Sequence, residues 1–596
     1  MRRPSRLPLT LGGLGAIVVL GAGASFAVGG TSNPTNDVRA QLNGAKPKNV
    51  IFLLGDGMGT QEITAARYYQ GAANKLNVDR MPFTGFDTNY TYKFGAVAPY
   101  QVDYDPDSAS TGTQWATGKK TVDERISQGP STALNVPGED YKTILEYAQD
   151  AGKKVGDVTT ADLTDATPAV LASHINNRNC GGPNDLPAVH CEYAAKSAGG
   201  KGSIAEQEVD HKVDVLLGGG RDRFSATNPS HGANLISGGP DDGKSVIESA
   251  QRQGYQYVTD AAGLAGVTDK SKPVLGLFHP SNMTVEWSGP AASLGKGNAP
   301  AACAETNRPA NEPSLADMTT KALSLLENDK GFLLQVEGAS IDKQDHATNA
   351  CGQLGETVAF DKAIGVALDY QKTHPDTLVV VTADHSHTSQ IVSEDASSTG
   401  LPTGYSTNVT TKDGQTLSLT YGTAGYGGSG SAPLASPPSQ QHTGAVVPVW
   451  AIGPQGSAVL GTNDHTDLFD LLRGAKDAQS APSTTTTVTN TTTVTGPTKT
   501  VPVPARVGKP RVGLAVGAGA TRAGGVAVSV VAVDAKTVTV TLKQGAKTIT
   551  TKKLRPSGGS ARLRAVKAKP GVVRITVTAK GTGGTTTKSS SIRLKK

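Results

Sequence analysis

The chain has 596 residues, 37% of them hydrophobic and 18% charged, with 57 Lys/Arg against 51 Asp/Glu and a net charge of +6. That length excludes a chain too small to bury a core, and leaves material for a second, smaller domain beside one large one. The charge is uneven: residues 501–596 carry 20 Lys/Arg and one acidic residue, Asp534, so the first 500 residues are net negative at −13, and an acidic body with a basic tail implies separate jobs.

The chain opens on the basic MRRPSRLPLT, followed by the apolar LGGLGAIVVLGAGASFAV, which ends among small residues at Ser25 and Ala27. This predicts a cleavable secretory signal over 1–27, followed by a flexible segment over 28–45. An uncleaved membrane anchor is the alternative, because the run is nearly long enough to span a bilayer. Arg2-Arg3 hints at twin-arginine export.

From residue 46 to 476, short apolar β-branched runs alternate with longer amphipathic stretches, the pattern of a parallel α/β fold. Three runs stand out: NVIFLLGDGMG from Asn49, GFLLQVEGASID from Gly331 and TLVVVTADHSH from Thr377. Each is apolar on both faces, as a buried parallel strand is, and each changes to carboxylates and glycines where the strand should end. Ligands of open α/β sheets sit beyond the carboxyl ends of the strands, so Asp56, Glu337, Asp342, Asp384 and His385 are expected at one edge. Taken alone, Asp56 reads equally well as a turn former.

Between the first two runs, DPDSASTGTQWATGKKT places Ser108 after Asp107 and before small residues that would open a helix. A serine there has backbone N–H groups and the positive dipole end beside its oxygen, which suits a phosphoryl group. The plainer reading is a helix N-cap. The four cysteines, Cys180, Cys191, Cys303 and Cys351, lack the C-x-x-C spacing of zinc or redox sites. Two disulfides in an oxidising compartment fit best, Cys180 to Cys191 closing a short loop and Cys303 to Cys351 following by elimination; four free thiols are the alternative. Asp342 and His346 form a D-x-x-x-H pattern, Asp384, His385 and His387 lie on the third strand end, and His442 lies in QQHTG. Carboxylate and imidazole donors without thiolate suit catalytic zinc.

Residues 477–505, rich in Thr and Pro, cannot bury enough apolar surface to fold and read as a linker. Over 506–596, VAVSVVAV, TVTVTLKQ, ARLRAVKA and VVRITVTA alternate β-branched and polar residues between Gly-rich turns, which predicts a small, basic β-sandwich. This tail has no Phe, Tyr or Trp for base stacking and no nucleic-acid partner is expected. Attraction to anionic cell-wall polymers or lipids is weighed against a merely solvated basic surface.

The motifs GDGMG, DSAS with W-x-TG, DATPA, QVEGASIDKQDH, TADHSH and QHTG occur in the order in which the alkaline phosphatase family carries them, over roughly residues 46–475, and the chain resembles that family. The resemblance implies a three-layer α/β fold with a mostly parallel central sheet in the catalytic domain, 46–476, the C-terminal β-sandwich being additional. It implies two Zn²⁺ and one Mg²⁺: one zinc held by Asp342, His346 and His442, with His387 hydrogen-bonded behind Asp342, the other by Asp56, Asp384 and His385. Magnesium would share Asp56 and add Thr167 and Glu337, Asp165 reaching its waters. Ser108 would be the nucleophile, Arg178 would grip two phosphate oxygens, and Lys343 would approach the phosphate through water. Asp165 and Lys343 stand where some branches carry histidines, as in the best-studied bacterial form. Thr60, Ser110, Gly112 and Ser386 depart from common family residues without removing a ligand. The function implied is hydrolysis of varied phosphate monoesters through a phosphoserine, by a secreted, periplasmic or envelope-associated homodimer. The competing readings are a phosphodiesterase or sulfatase on the same scaffold, and a non-catalytic envelope-binding protein.

Overall fold

Asn49–Gly55 (β1) is buried along its whole length because its two faces enter two different cores: Val50, Phe52 and Leu54 join one, Ile51 and Leu53 the other. The same alternation holds for Phe332–Gly338 and Thr377–Ala383, where Leu333, Leu378 and Val380 face the first core and Leu334, Val379 and Val381 the second. A sheet covered on both sides follows, the three-layer arrangement that near-continuous apolar runs require. This computed structural model describes residues 44–475 except 96–97, 187–189, 231, 394–403 and 425–438, and residues 513–594 except 521–524, 534, 555–559, 568–570 and 582–583. The predicted signal, residues 28–43 of the segment after it, and the linker lie outside the described residues.

The other strands of the central sheet are β2 (Phe83–Thr88), β3 (Lys154–Asp162), β4 (Val215–Gly219), β5 (Gln256–Val258), β6 (Val274–Leu277), β7 (Phe332–Gly338), β8 (Thr377–Ala383), β9 (Val447–Ile452) and β10 (Gly461–Asp464). Their order is β10-β2-β9-β8-β1-β7-β3-β4-β6-β5. Only the pairings of β9 with β8 and β2 are antiparallel; the rest are parallel. The three apolar runs are thus the adjacent strands β8, β1 and β7, and Gly55 is level with both Gly338 and Ala383. Because the three strands stop in register, the polar residues that follow emerge at one edge.

Four helices carry functional candidates: α1 (Ser108–Thr117), α2 (Ala166–Ala172), α3 (Ser340–His346) and α4 (Ala350–Thr373). Asp107 caps α1 by accepting the Ser110 N–H at 2.9 Å, and Gly118 ends it in the left-handed region at φ 73°. Two disulfides join Cys180 to Cys191 and Cys303 to Cys351, the second tying a loop to the first turn of α4. Both pairings agree with the sequence expectation.

On α4, burial, aided by nearby Glu286 and Glu312, pushes the Glu356 carboxyl from 4.5 up to about 8, while the Glu286 N–H donates to it at 2.8 Å. Below the unfolded value the group is neutral in both states. As pH rises from about 4.5 to about 8 the unfolded chain gives up its proton and the folded chain keeps it, so stability falls across that window. Glu356→Gln removes the penalty. Urea unfolding is expected to show the variant a few kcal/mol more stable than the parent near pH 8, with the difference shrinking towards pH 5; an equal difference at both pH values would contradict the neutral buried acid.

The chain divides into two units, residues 1–475 and 476–596. The second holds an antiparallel three-stranded sheet (Gly513–Ala520, Gly525–Val533, Ser560–Lys567) and an antiparallel four-stranded one (Lys547–Leu554, Ala535–Gln544, Gly571–Gly581, Gly584–Leu594). In the latter, Val538, Val540 and Leu542 are buried with Val573, Ile575 and Val577. The four predicted strands are present. The three that the pattern did not reveal, Gly513–Ala520, Lys547–Leu554 and Gly584–Leu594, lie at sheet edges, as does the predicted Ser560–Lys567.

Candidate active site

Directly beyond β1 and β8, Asp384 Oδ1 accepts the backbone N–H groups of Gly57 and His385, each at 2.9 Å, which fixes that carboxylate. Gly57 has φ 67°, and a Cβ there would stand 2.7 Å from the His387 ring, so both conformation and space call for glycine. The Nε2 atom of His385 lies 3.2 Å from Asp384 Oδ2 and 3.4 Å from Asp56 Oδ1. Ser108, the first residue of α1, brings its Oγ to 3.2 Å from the same Nε2 and 3.4 Å from Asp56 Oδ1. All four residues are buried.

A second group forms around Asp342. On α3 the D-x-x-x-H spacing is one helical turn, so Asp342 and His346 share a face, with Nε2 of His346 3.4 Å from Asp342 Oδ1. A short antiparallel ribbon sets His387 opposite His442, and their Nε2 atoms reach the same oxygen at 2.6 and 3.3 Å. Nδ1 of His346 faces the Gln440 carbonyl at 2.7 Å and Nδ1 of His442 the Pro106 carbonyl at 3.0 Å. A carbonyl only accepts, so both Nδ1 atoms carry hydrogen, and the two Nε2 atoms meet 3.0 Å apart. That meeting requires positive charge, supplied by a proton or by a cation. Against burial, the Asp342 carboxylate raises His442 to about 9. Burial, reinforced by Asp342, raises Asp56 well above the usual carboxylate range and Asp384 to about 6, while the His387 and His442 hydrogen bonds overcome burial and hold Asp342 well below it. Such crowding of buried carboxylates around convergent imidazole nitrogens is what a metal-binding donor set looks like. Two overlapping groups, Asp56/Asp384/His385 and Asp342/His385/His387/His442, have ligand atoms within 4.8 Å of one another.

The remaining candidates adjoin this edge. Asp165 caps α2, accepting the Ala166 N–H at 2.8 Å, and pairs with Arg178 at 2.8 Å and Lys343 at 2.6 Å. The two cations hold Asp165 below the usual range despite burial, and Asp165 in turn raises both of them. Glu337, which burial pushes to about 8, accepts from the Thr159 hydroxyl, and the buried Thr167 hydroxyl has no hydrogen-bond partner among the described residues. Among the departures noted in sequence, Gly112 leaves room for Val170, which a Cβ would approach to 2.8 Å, and the Ser110 hydroxyl donates to Asp123 at 2.9 Å.

Two positioning residues escaped the sequence reading. Asp107 accepts from Ser110 N–H, from Glu124 N–H at 2.9 Å and from Arg178 at 3.3 Å, so it orders the Ser108 helix and the guanidinium together. Gln440 holds His346 through its carbonyl and donates its side-chain amide to Asp345 at 3.1 Å. Their only signals are adjacency to Ser108 and proximity to His442 in sequence.

Residues 47–428 match the family described as alkaline phosphatase. The alkaline phosphatase of Escherichia coli K12 is 43% identical over 453 residues, 75% of this chain and 89% of that protein. The streptomycin-6-phosphate phosphatase of Streptomyces griseus is 43% identical over 454 residues, 74% of this chain and 93% of the relative. The crystal structure of Thermus thermophilus alkaline phosphatase superposes at TM-score 0.51 over 74% of this chain and 93% of that one, at 20% identity, showing a common fold. With that agreement over the part of the chain that bears the serine, the imidazoles and the carboxylates, the protein belongs to the alkaline phosphatase family and is a phosphate monoester hydrolase.

Proposed function

We propose that Ser108 attacks the phosphorus of a monoester, the ester oxygen leaves, and water then attacks phospho-Ser108 to release inorganic phosphate with net retention at phosphorus. The carrying observation is the Ser108 hydroxyl at the start of a ten-residue helix, 3.4 Å from Asp56 and 3.2 Å from His385. Backbone N–H groups of the first turn of α1 favour the anionic phosphoryl group beside Ser108. Arg178, poised by Asp107 and Asp165, presents a planar fork to two phosphate oxygens, and Lys343 contributes its charge through water.

The residues fit two zinc ions, one held by Asp342, His346 and His442 with His387 steadying Asp342, the other by Asp56, Asp384 and His385, and a magnesium ion held by Asp56, Thr167 and Glu337 with Asp165 on its waters. When bound, these ions supply Lewis-acid neutralisation of phosphate charge and lower the pKa of the attacking oxygens. The substrates are monoesters of varied alcohols. We further propose export to the periplasm, cell envelope or medium, which the basic and apolar N-terminal segment and the two disulfides support, and a homodimer, which the family resemblance supports. The basic C-terminal region would contact anionic envelope polymers. No helix among the described residues is long and apolar enough to cross a membrane.

Arg178→Ala tests the substrate class. A monoester offers the guanidinium a pair of charged oxygens that a diester only partly retains, so the variant is expected to lose a few kcal/mol of phosphate affinity and to lose monoester kcat/KM more steeply than diester or sulfate-ester kcat/KM. Equal losses on all three esters would remove the case for monoester recognition by Arg178.

A further inference from the structure

A cluster that shares no residue with the Ser108 site repeats its donor chemistry. Glu146 lies in the first turn of the helix Ile144–Asp150, His174 follows α2, and His211 closes the helix Ile204–Asp210. Glu146 Oε1 stands 3.4 Å from His174 Nε2 and 3.5 Å from His211 Nε2, and one ligand atom from each of the three residues lies within 4.8 Å of the others. Each side chain is anchored by its other end. Glu146 Oε2 accepts the Thr143 N–H at 2.8 Å in a capping box, Nδ1 of His174 faces the Ser127 carbonyl at 3.2 Å, and Nδ1 of His211 the Gln207 carbonyl at 2.9 Å.

Because those carbonyls only accept, both Nδ1 atoms carry the hydrogen, and in neutral rings both Nε2 atoms aim lone pairs at the carboxylate oxygen. Three acceptors directed at one point repel unless positive charge lies among them. The choices are a proton on one ring or a metal ion, and the spacing distinguishes them. A charge-assisted N–H···O bond closes to about 2.7–2.9 Å, whereas ligands roughly 2.0–2.1 Å from a tetrahedral ion stand about 3.3 Å apart. The observed 3.4 and 3.5 Å match the second. The side chains of Glu146 and His211 are each 24% exposed, so solvent reaches the fourth position.

We propose that Glu146, His174 and His211 form an additional site for a zinc-class divalent ion, completed by water and structural in role. The ion ties three helix ends together just ahead of Arg178. That segment is already fastened by reciprocal Ile126–Ile175 backbone bonds at 2.9 and 3.1 Å and by the Arg178 N–H to the Glu124 carbonyl at 2.8 Å.

The test is equilibrium dialysis of the full-length, magnesium-saturated enzyme against buffered micromolar Zn²⁺, with bound metal counted by mass spectrometry. Two variants, His211→Gln and Glu146→Gln, are compared with the parent; the second keeps an amide oxygen for the Thr143 cap. Each is expected to hold one equivalent of zinc fewer than the parent while its phosphatase activity is unchanged. Since the reading is a difference, it does not depend on how many ions the Ser108 site holds. Equal zinc content in the parent and both variants would overturn the proposal and leave a protonated histidine pair in its place.

Discussion

Ser108→Ala is expected to abolish the covalent phosphoenzyme and lower kcat by roughly 10³-fold or more, about 4 kcal/mol of barrier. Alanine keeps the α1 backbone and its N–H groups, because the helix is capped by Asp107 rather than by Ser108. Phosphate binding should therefore survive better than turnover, which separates loss of the nucleophile from loss of the fold. Acid quenching with a labelled monoester checks this directly: the parent should carry label on Ser108 and the variant none. Label on another residue of the variant, or turnover close to that of the parent, would sink the assignment of the nucleophile.

Removal of metal has an effect of similar size. Asp56, Asp342, Asp384 and Glu337 are all buried, and burial, reinforced by neighbouring carboxylates, pushes Asp56, Glu337 and Asp384 upward. Carboxylates in such a setting need cations, and stripping them leaves uncompensated charge and an unactivated Ser108. Prolonged dialysis against excess chelator is expected to bring activity to background, and zinc plus magnesium to restore it. Magnesium alone should not, because imidazole-rich donor sets hold zinc far better than magnesium. Full activity retained in chelator would rule out the metal-dependent reading of this site.

Much of this site was legible in sequence because its carriers are local. A run apolar on both faces announces a doubly covered strand, and the abrupt change to Asp56, Glu337 or Asp384 marks its carboxyl end. The D-x-x-x-H spacing places Asp342 and His346 on one helical face without further information. The positioning residues were less visible. Nothing in the composition around Asp107 says that it joins Ser110, Glu124 and Arg178, because those partners come from separate segments brought together only by packing.

The sequence by itself determined the parallel core and the pool of metal-type donors, since burial pattern and residue chemistry are properties of short stretches, whereas Ser108 was singled out by the family resemblance. The three-dimensional fold alone decided that β8, β1 and β7 end level with one another. It also decided that His442 returns across a ribbon to His387, and that Glu146 meets His174 and His211. Such meetings depend on strand register and helix packing over long separations, where a shift of one residue would turn a ligand away from the others.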